Sequence, residues 1–165
     1  MATWNYGAIA LLSSFAAELD IDSDSAPFWV GLSAGEIRVQ RCHQCGSYRF
    51  PPGPYCLSCG SSELVYSALT SIPRLFSWIV VNRSTHPSMP VPYAVAVVEY
   101  DEGVRIPGAM AVASETNELA IGMPVRVSIR RGDRPFIAFQ IGNPASADHT
   151  EYGVPLREGA TWPAA

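Results

Sequence analysis

All four cysteines of the chain lie between Arg41 and Gly60, in RCHQCGSYRFPPGPYCLSCG, as two CxxC pairs, Cys42/Cys45 and Cys56/Cys59. Zinc in structural sites is tetrahedral and favours thiolates, and two CxxC turns supply four of them. Each pair is followed directly by a glycine, Gly46 or Gly60. Glycine tolerates positive φ, so the chain can turn back there and aim backbone N–H groups at the sulfurs. Such donors offset part of the charge that four thiolates place on one divalent ion. The spacing points to a structural Zn2+ on Cys42, Cys45, Cys56 and Cys59, and iron on the same four sulfurs fits it as well. A thioredoxin-type redox pair needs a single CxxC in a βαβ setting, and neither is present. His43 lies between two ligands, but four thiolates fill the tetrahedron and leave it facing solvent. With every cysteine a ligand, the metal has no open position for Lewis-acid chemistry and no thiol is spare as a nucleophile.

The rest of the chain offers little catalytic material. Eleven arginines and no lysine exclude a Schiff base, a lysine general base and a phosphate-loop lysine. There is no GxSxG, no phosphate loop and no GxGxxG. His86 sits in the Pro-rich stretch NRSTHPSMPVPY, where loops between strands place binding groups. A plain solvated loop histidine is the competing interpretation. His149, beside Asp148, is read as exposed. Arg126, Arg130, Arg131 and Arg134 cluster around one strand and its turn, as a phosphate-binding cup or a solvated basic edge. The net charge of −4 argues against a nucleic-acid partner, which would draw its affinity from clustered cations.

These residues need elements to hold them, and four zones separate along the chain. The segment GAIALLSSFAAEL is helix-compatible, and PFWVGLSAG predicts a second helix, with Pro27 in its first turn and Gly35 as its stop. EIRVQRC alternates like a strand entering the cysteine region. Beyond the cysteines, RLFSWIVVN, PYAVAVVEY, VRIPGAMAV, PVRVSIR and PFIAFQI are short, β-branched or aromatic runs fenced by Pro, Gly, Asn or Asp. ELVYSALTS is a candidate first strand before them, and the DEG at 101–103 is a hairpin turn. Phe76, Trp78, Tyr93, Phe136 and Phe139 follow the strand alternation, and most of them are read as core. The pattern predicts a mainly β protein with a small antiparallel barrel of five or six strands, and an extended Pro/Gly-rich tail from Asn143. The first basic residue is Arg38, so the charged region of a secretory signal is missing. No apolar run approaches the roughly 20 residues that cross a bilayer. Metal-spaced cysteines without a signal fit a reducing cytoplasm, and no membrane partner is expected.

In combination, a PFW helix, paired CxxCG knuckles around the Arg49–Pro52 segment RFPP, PYxVAxVE, EGVR and IGMPV resemble one family. The chain is similar to the acyl-CoA-associated OB-fold proteins with a rubredoxin-like zinc ribbon, domain of unknown function family thirty-five. The match runs from about Pro27 to Ile141. It implies an OB-fold over 63–142 behind the zinc ribbon. The expected division of the chain is an N-terminal helical segment over 1–35, the ribbon over 36–62, the OB-fold and a tail over 143–165. Residues 1–25 and the tail depart from the common pattern, being longer than a minimal member needs. The resemblance also implies a structural Zn2+ on the four cysteines and no catalytic residue in this chain. Members are accessory partners of thiolase-like enzymes and aldolases that break or form C–C bonds on acyl-CoA thioesters, in lipid, steroid or aromatic degradation. Others pair with enoyl-CoA hydratases.

The expected function is therefore that of a non-catalytic subunit, probed by where its partner would dock. Symmetry favours a 2:2 heterotetramer. The barrel and the 82–92 loop, with Arg83 and His86, would shape the substrate entrance, with acyl-CoA bound at the partner interface. Phe28 and Trp29 are candidate docking residues, burial in the chain's own core being the competing possibility. One of the two end segments, 1–25 or the tail, is expected to wrap onto the partner. Two other classes remain open: a stand-alone acyl-CoA-processing enzyme using His86, and a nucleic-acid-binding OB/zinc-ribbon module with aromatic platforms beside basic residues.

Overall fold

The computed structural model describes residues 21–83, 91–110, 119–130 and 135–142. The segment GAIALLSSFAAEL and the tail from Asn143 lie outside them. The first described element is α1 (Ala26–Ser33). Its entry is fixed by Asp22, whose Oδ1 accepts the Ser25 N–H at 2.7 Å, and Pro27 stands in the first turn. It stops where the sequence predicts. Gly35 adopts φ +84, its N–H bonds the Leu32 carbonyl, and the Glu36 N–H reaches back 2.8 Å to the Gly31 carbonyl. That pair of bonds satisfies carbonyls the helix end would otherwise leave open.

Three strands follow: β1 (Arg38–Cys42), β2 (Tyr48–Arg49) and β3 (Leu64–Ala68). They form one antiparallel sheet with β1 in the middle. The strand expected to open the barrel at ELVYSALTS is β3, and it pairs instead with β1, from Arg38↔Ala68 to Cys42↔Leu64. The reason lies in the cysteine cluster. Cys42 ends β1 and Cys59 precedes β3, so gathering the two sulfurs brings these strands alongside one another.

The second sheet holds β4 (Arg74–Val81), β5 (Tyr93–Glu99), β6 (Arg105–Met110), β7 (Val125–Arg130) and β8 (Phe136–Ile141), in the order β4-β5-β6-β8-β7. This is the order of an OB-fold barrel. Each of the predicted runs has an antiparallel neighbour, through β4–β5, β5–β6 and β7–β8, but β6 and β8 run parallel, through Ala109↔Ala138 and Met110↔Phe139. β7 lies on the far edge, so its antiparallel partner β8 returns beside β6 in the same direction. An alternating pattern fixes which face is buried and says nothing about this neighbour.

The barrel closes through IGMPV. The Leu75 N–H reaches the Met123 carbonyl and the Gly122 N–H the Leu75 carbonyl, both at 2.8 Å, and Arg74 bridges Pro124. Gly122 makes that turn at φ +87. The DEG turn forms the β5–β6 hairpin, with Gly103 at φ +82 and its N–H on the Tyr100 carbonyl. Inside, Leu75, Ala96, Val98, Ile106, Val125 and Phe139 pack with Phe28 and Leu32 of α1 and Val39 of β1 in one continuous cluster. Ribbon, helix and barrel therefore share a core. Of the five aromatics read as core only Phe139 is fully buried; Trp78 and Phe136 pack half-buried against core residues, Tyr93 is half-buried, and so is Phe76. A bulge between Leu75 and Ser77 breaks the alternation, and the ring is half-buried with the Arg105 guanidinium 3.6 Å above it. Among the described residues no helix is long and apolar enough to cross a membrane.

Candidate metal centre

β1 delivers Cys42 at its last residue, and β2 begins three residues after Cys45. Between them the chain makes a knuckle that recurs at the second pair. The Cys42 N–H bonds the Ser47 carbonyl and the Gly46 N–H the Cys42 carbonyl. The Cys56 N–H bonds the Ser61 carbonyl and the Gly60 N–H the Cys56 carbonyl. Gly46 and Gly60 sit at φ +74 and +76, a region only glycine enters without strain. The glycine amides serve the turn, and their φ aims the next amide at sulfur: those of Ser47 and Ser61 bond the second thiol of each pair.

The four Sγ atoms lie within 4.8 Å of one another, with Cys42–Cys59 and Cys45–Cys56 each at 3.6 Å. A Zn–S bond of about 2.3 Å sets a tetrahedral S···S edge of about 3.8 Å. The cluster is thus pre-shaped to the ion's size. Cys42 and Cys56 are buried, and Cys45 and Cys59 face solvent. The Ser58 N–H donates to Cys56 Sγ at 3.4 Å, and Ser47 Oγ lies 3.0 Å from Cys45 Sγ and 3.2 Å from Cys56 Sγ.

These contacts set the thiol acidities. The Ser47 hydroxyl, then its amide, holds Cys45 below the ordinary thiol value. The same hydroxyl, then the amides of Cys59 and Ser58, draws Cys56 down to about 5. The Ser61 amide pulls Cys59 the same way, but the surrounding thiols of Cys42, Cys45 and Cys56, together with desolvation, prevail and push it up to about 12. Thiols this close oppose one another's ionisation, and a divalent cation at their centre favours the thiolate at every position. Size, ligand count and ligand softness all fit structural zinc. Four sulfurs complete its coordination, so the ion would supply cross-linking and no reactive position.

The RFPP segment braces the knuckles. Arg49 Nε donates to the Pro51 carbonyl at 3.2 Å and its Nη1 to the Tyr55 carbonyl, while the buried Gln40 accepts the Gly53 N–H at 2.8 Å. His43 is exposed, its Nδ1 3.7 Å from Glu63 Oε2, and takes no place among the sulfurs.

The remaining candidates do not assemble into one site. Phe28 is only 8% exposed, its ring 5.2 Å from Phe50, which corrects its reading as a docking residue. It packs in the cluster that joins helix, ribbon and barrel. Trp29 is half-buried on the same helix, edge-on to Phe28, and Arg83 is exposed two residues beyond β4. His86, His149, Arg131 and Arg134 lie outside the described residues. Arg126 and Arg130 are half-buried on β7, and both are engaged. A cleft of about 320 Å³ opens between ribbon and barrel, lined by Arg49, Phe50, Leu57, Glu99 and Arg105. Its arginines are already used, Arg105 by Glu99 at 2.9 Å and Arg49 by the two carbonyls. Sequence reasoning missed Ser47 and Gln40. The repeated CxxCGS marks a serine in each knuckle, but only the fold separates their roles.

Residues 29–65 match the ChsH2 rubredoxin-like zinc ribbon domain, and residues 73–130 match the ChsH2 C-terminal OB-fold domain. The chain is 36% identical over 124 residues, 70% of its length, to the 3-oxo-4,17-pregnadiene-20-carboxyl-CoA hydratase alpha subunit of Mycobacterium tuberculosis. It spans 39% of the length of that protein. A DUF35 domain-containing scaffold protein of Methanothermobacter thermautotrophicus is 30% identical over 93 residues, 55% of this chain and 69% of the relative. Among solved structures, a chain of the Ltp2-ChsH2(DUF35) aldolase superposes with a TM-score of 0.67 at 30% identity, over 75% of this chain and 98% of that one.

Proposed function

The chain belongs to the DUF35 family, with the zinc ribbon and OB-fold of the ChsH2 type, and on that premise we propose that it is a non-catalytic accessory subunit of an acyl-CoA-processing complex. Its partner is a thiolase-like or aldolase subunit acting on the C–C bonds of acyl-CoA thioesters, in a 2:2 assembly. The observation that carries this reading is the sulfur cluster: every thiol of the chain is drawn into it. Thiolase-type chemistry needs an activated cysteine with a base beside it, so that nucleophile resides on another chain. The likeness to a chain of an aldolase complex and to a protein named as a scaffold supports the accessory role. The likeness to a hydratase alpha subunit supports an enoyl-CoA hydratase as the alternative partner.

Zn2+ on Cys42, Cys45, Cys56 and Cys59 holds the ribbon, and the ribbon presents the barrel. The barrel and the 82–92 loop, with Arg83 and His86, shape the partner's substrate entrance, where acyl-CoA lies at the interface. Trp29 is the docking candidate on α1, beside the exposed Val30.

The test is affinity purification of the tagged chain from its native host, followed by turnover assays with chain, partner and both. The expected result is a stoichiometric acyl-CoA enzyme whose full activity needs both chains. Turnover by this chain alone, abolished in His86→Ala, would overturn the proposal.

A further inference from the structure

The two knuckles share one pattern, Cys-x-x-Cys-Gly-Ser, at residues 42–47 and 56–61. Their backbones follow the same hydrogen-bonded path. Their serines do not act alike. Ser61 turns its Oγ onto the Glu63 N–H, at 3.0 Å, and caps the turn into β3. Ser47 turns its Oγ inward, 3.0 Å from Cys45 Sγ and 3.2 Å from Cys56 Sγ. Those two sulfurs belong to different knuckles, and they are one of the two pairs that approach to 3.6 Å. Apart from the metal, the Ser47 hydroxyl is thus a side-chain link between the halves of the site.

We propose that Ser47 is a positioning residue of the metal centre, its hydroxyl clamping the Cys56 thiolate of the second knuckle against Cys45 of the first. This rests on the reading that the four cysteines hold one metal ion. A hydroxyl carries one proton and donates to one sulfur at a time. Either bond draws electron density from a thiolate ligand and so reduces the repulsion among four negative sulfurs. It also ties Cys56 to a residue on the other side of the ion, so the second knuckle opens less readily. The backbone of the first knuckle does not depend on the side chain, because the Ser47 carbonyl accepts from Cys42 whatever side chain stands there. Ser47→Ala therefore removes the clamp and keeps the turn, whereas Ser61→Ala changes the equivalent residue and leaves the sulfurs untouched.

The experiment uses the full chain loaded with Co2+ for absorption and with Zn2+ for release to a chromogenic chelator. Loss of a hydrogen bond raises the energy of the sulfur lone pairs, so the thiolate-to-Co2+ charge-transfer band of Ser47→Ala is expected at longer wavelength. Outer-sphere partners of this kind typically alter metal affinity by about 10- to 100-fold, and zinc transfer to the chelator is expected to quicken about tenfold. Ser61→Ala should match wild type in both, and Ser47→Thr, which keeps a hydroxyl, should restore both. Circular dichroism confirms that each variant folds. If Ser47→Ala matches Ser61→Ala in band position and release rate, the clamp is refuted while the metal site stands. If the wild-type chain shows no stoichiometric thiolate-to-Co2+ band, the metal reading fails and takes the clamp with it.

Discussion

Gly108 tests the packing beside the parallel β6–β8 seam of the barrel. A methyl group at this position would sit 2.6 Å from Phe139 Cε2, 2.9 Å from Cζ and 3.1 Å from the Ile137 carbonyl. Phe139 is 0% exposed and has no free space to swing into, and the carbonyl is backbone in β8. Two effects oppose each other in Gly108→Ala. Restricting the unfolded chain stabilises by about 0.4–1 kcal/mol, while forcing a methyl into a filled core costs about 1–3 kcal/mol. Overpacking wins, so a net loss of about 1–2 kcal/mol is expected. At this chain length that is a fall in Tm of about 2–4 °C for each kcal/mol. Urea denaturation should show a lower midpoint at an unchanged slope, since the exposed surface of the unfolded chain is the same. The ring is the named obstacle, so the sharper form is a double-mutant cycle with Phe139→Leu. Alone, that substitution leaves a cavity, and in the Gly108→Ala background the methyl occupies part of it. The double variant should then be more stable than the sum of singles by about 0.5–1.5 kcal/mol. Gly108→Ala as stable as wild type, or strictly additive effects, would refute the packing argument.

Two further outcomes follow from the bracing of the ribbon and of its junction with the barrel. In Gly53→Ala the new methyl would lie 2.1 Å from Arg49 Nη2, so the guanidinium must leave the Pro51 and Tyr55 carbonyls. Arg49→Ala removes the same bonds; each variant should lose about 1–2 kcal/mol in thermal denaturation, and the double variant no more than either, whereas additive losses would show the two residues act separately. Burial raises the Glu102 pKa, but the Ser71 hydroxyl and the Thr70 and Ser71 amides outweigh it and hold the carboxyl below its ordinary value. With the folded value depressed, its stabilisation is complete above the ordinary carboxylate range and is lost as pH falls through the folded value. The group is largely solvent-screened, so Glu102→Gln should flatten the acid limb of a pH–stability curve by less than about 1 kcal/mol; an unchanged limb would remove Glu102 from that role.

What the sequence made legible is what local chemistry alone decides. Pro27 and Gly35 bound α1, the DEG turn forms β5–β6, and the strand runs become strands, because each depends on neighbours within a few residues. Partners across the sheet were not legible. ELVYSALTS reads as a strand whichever sheet it joins, and the β6–β8 parallel pairing is a consequence of where β7 lands. Phe76 misled because one extra residue at the bulge shifts the pattern that assigned it inward. Phe28 was ambiguous because an aromatic on a short helix suits a core and an interface equally. The four sulfurs were plain from spacing, yet Ser47 and Ser61 hold the same place in the repeated CxxCGS and separate only in the fold, where the Ser47 hydroxyl lies beside Cys45 and Cys56 and the Ser61 hydroxyl accepts the Glu63 N–H.

The motifs that identify the family can be sorted by what each residue touches. PFW places Phe28 in the shared core, and RFPP supplies Arg49, which holds the loop between the knuckles. PYxVAxVE alternates Ala94, Ala96 and Val98 inward and sets Glu99 against Arg105 of EGVR. EGVR also contributes the Glu102 latch and the Gly103 turn, and IGMPV closes the barrel on β4. Each of these residues has a partner within its own chain. Among the described residues, the family motifs therefore hold the shape of ribbon, helix and barrel, each through contacts with a neighbouring element of the same chain.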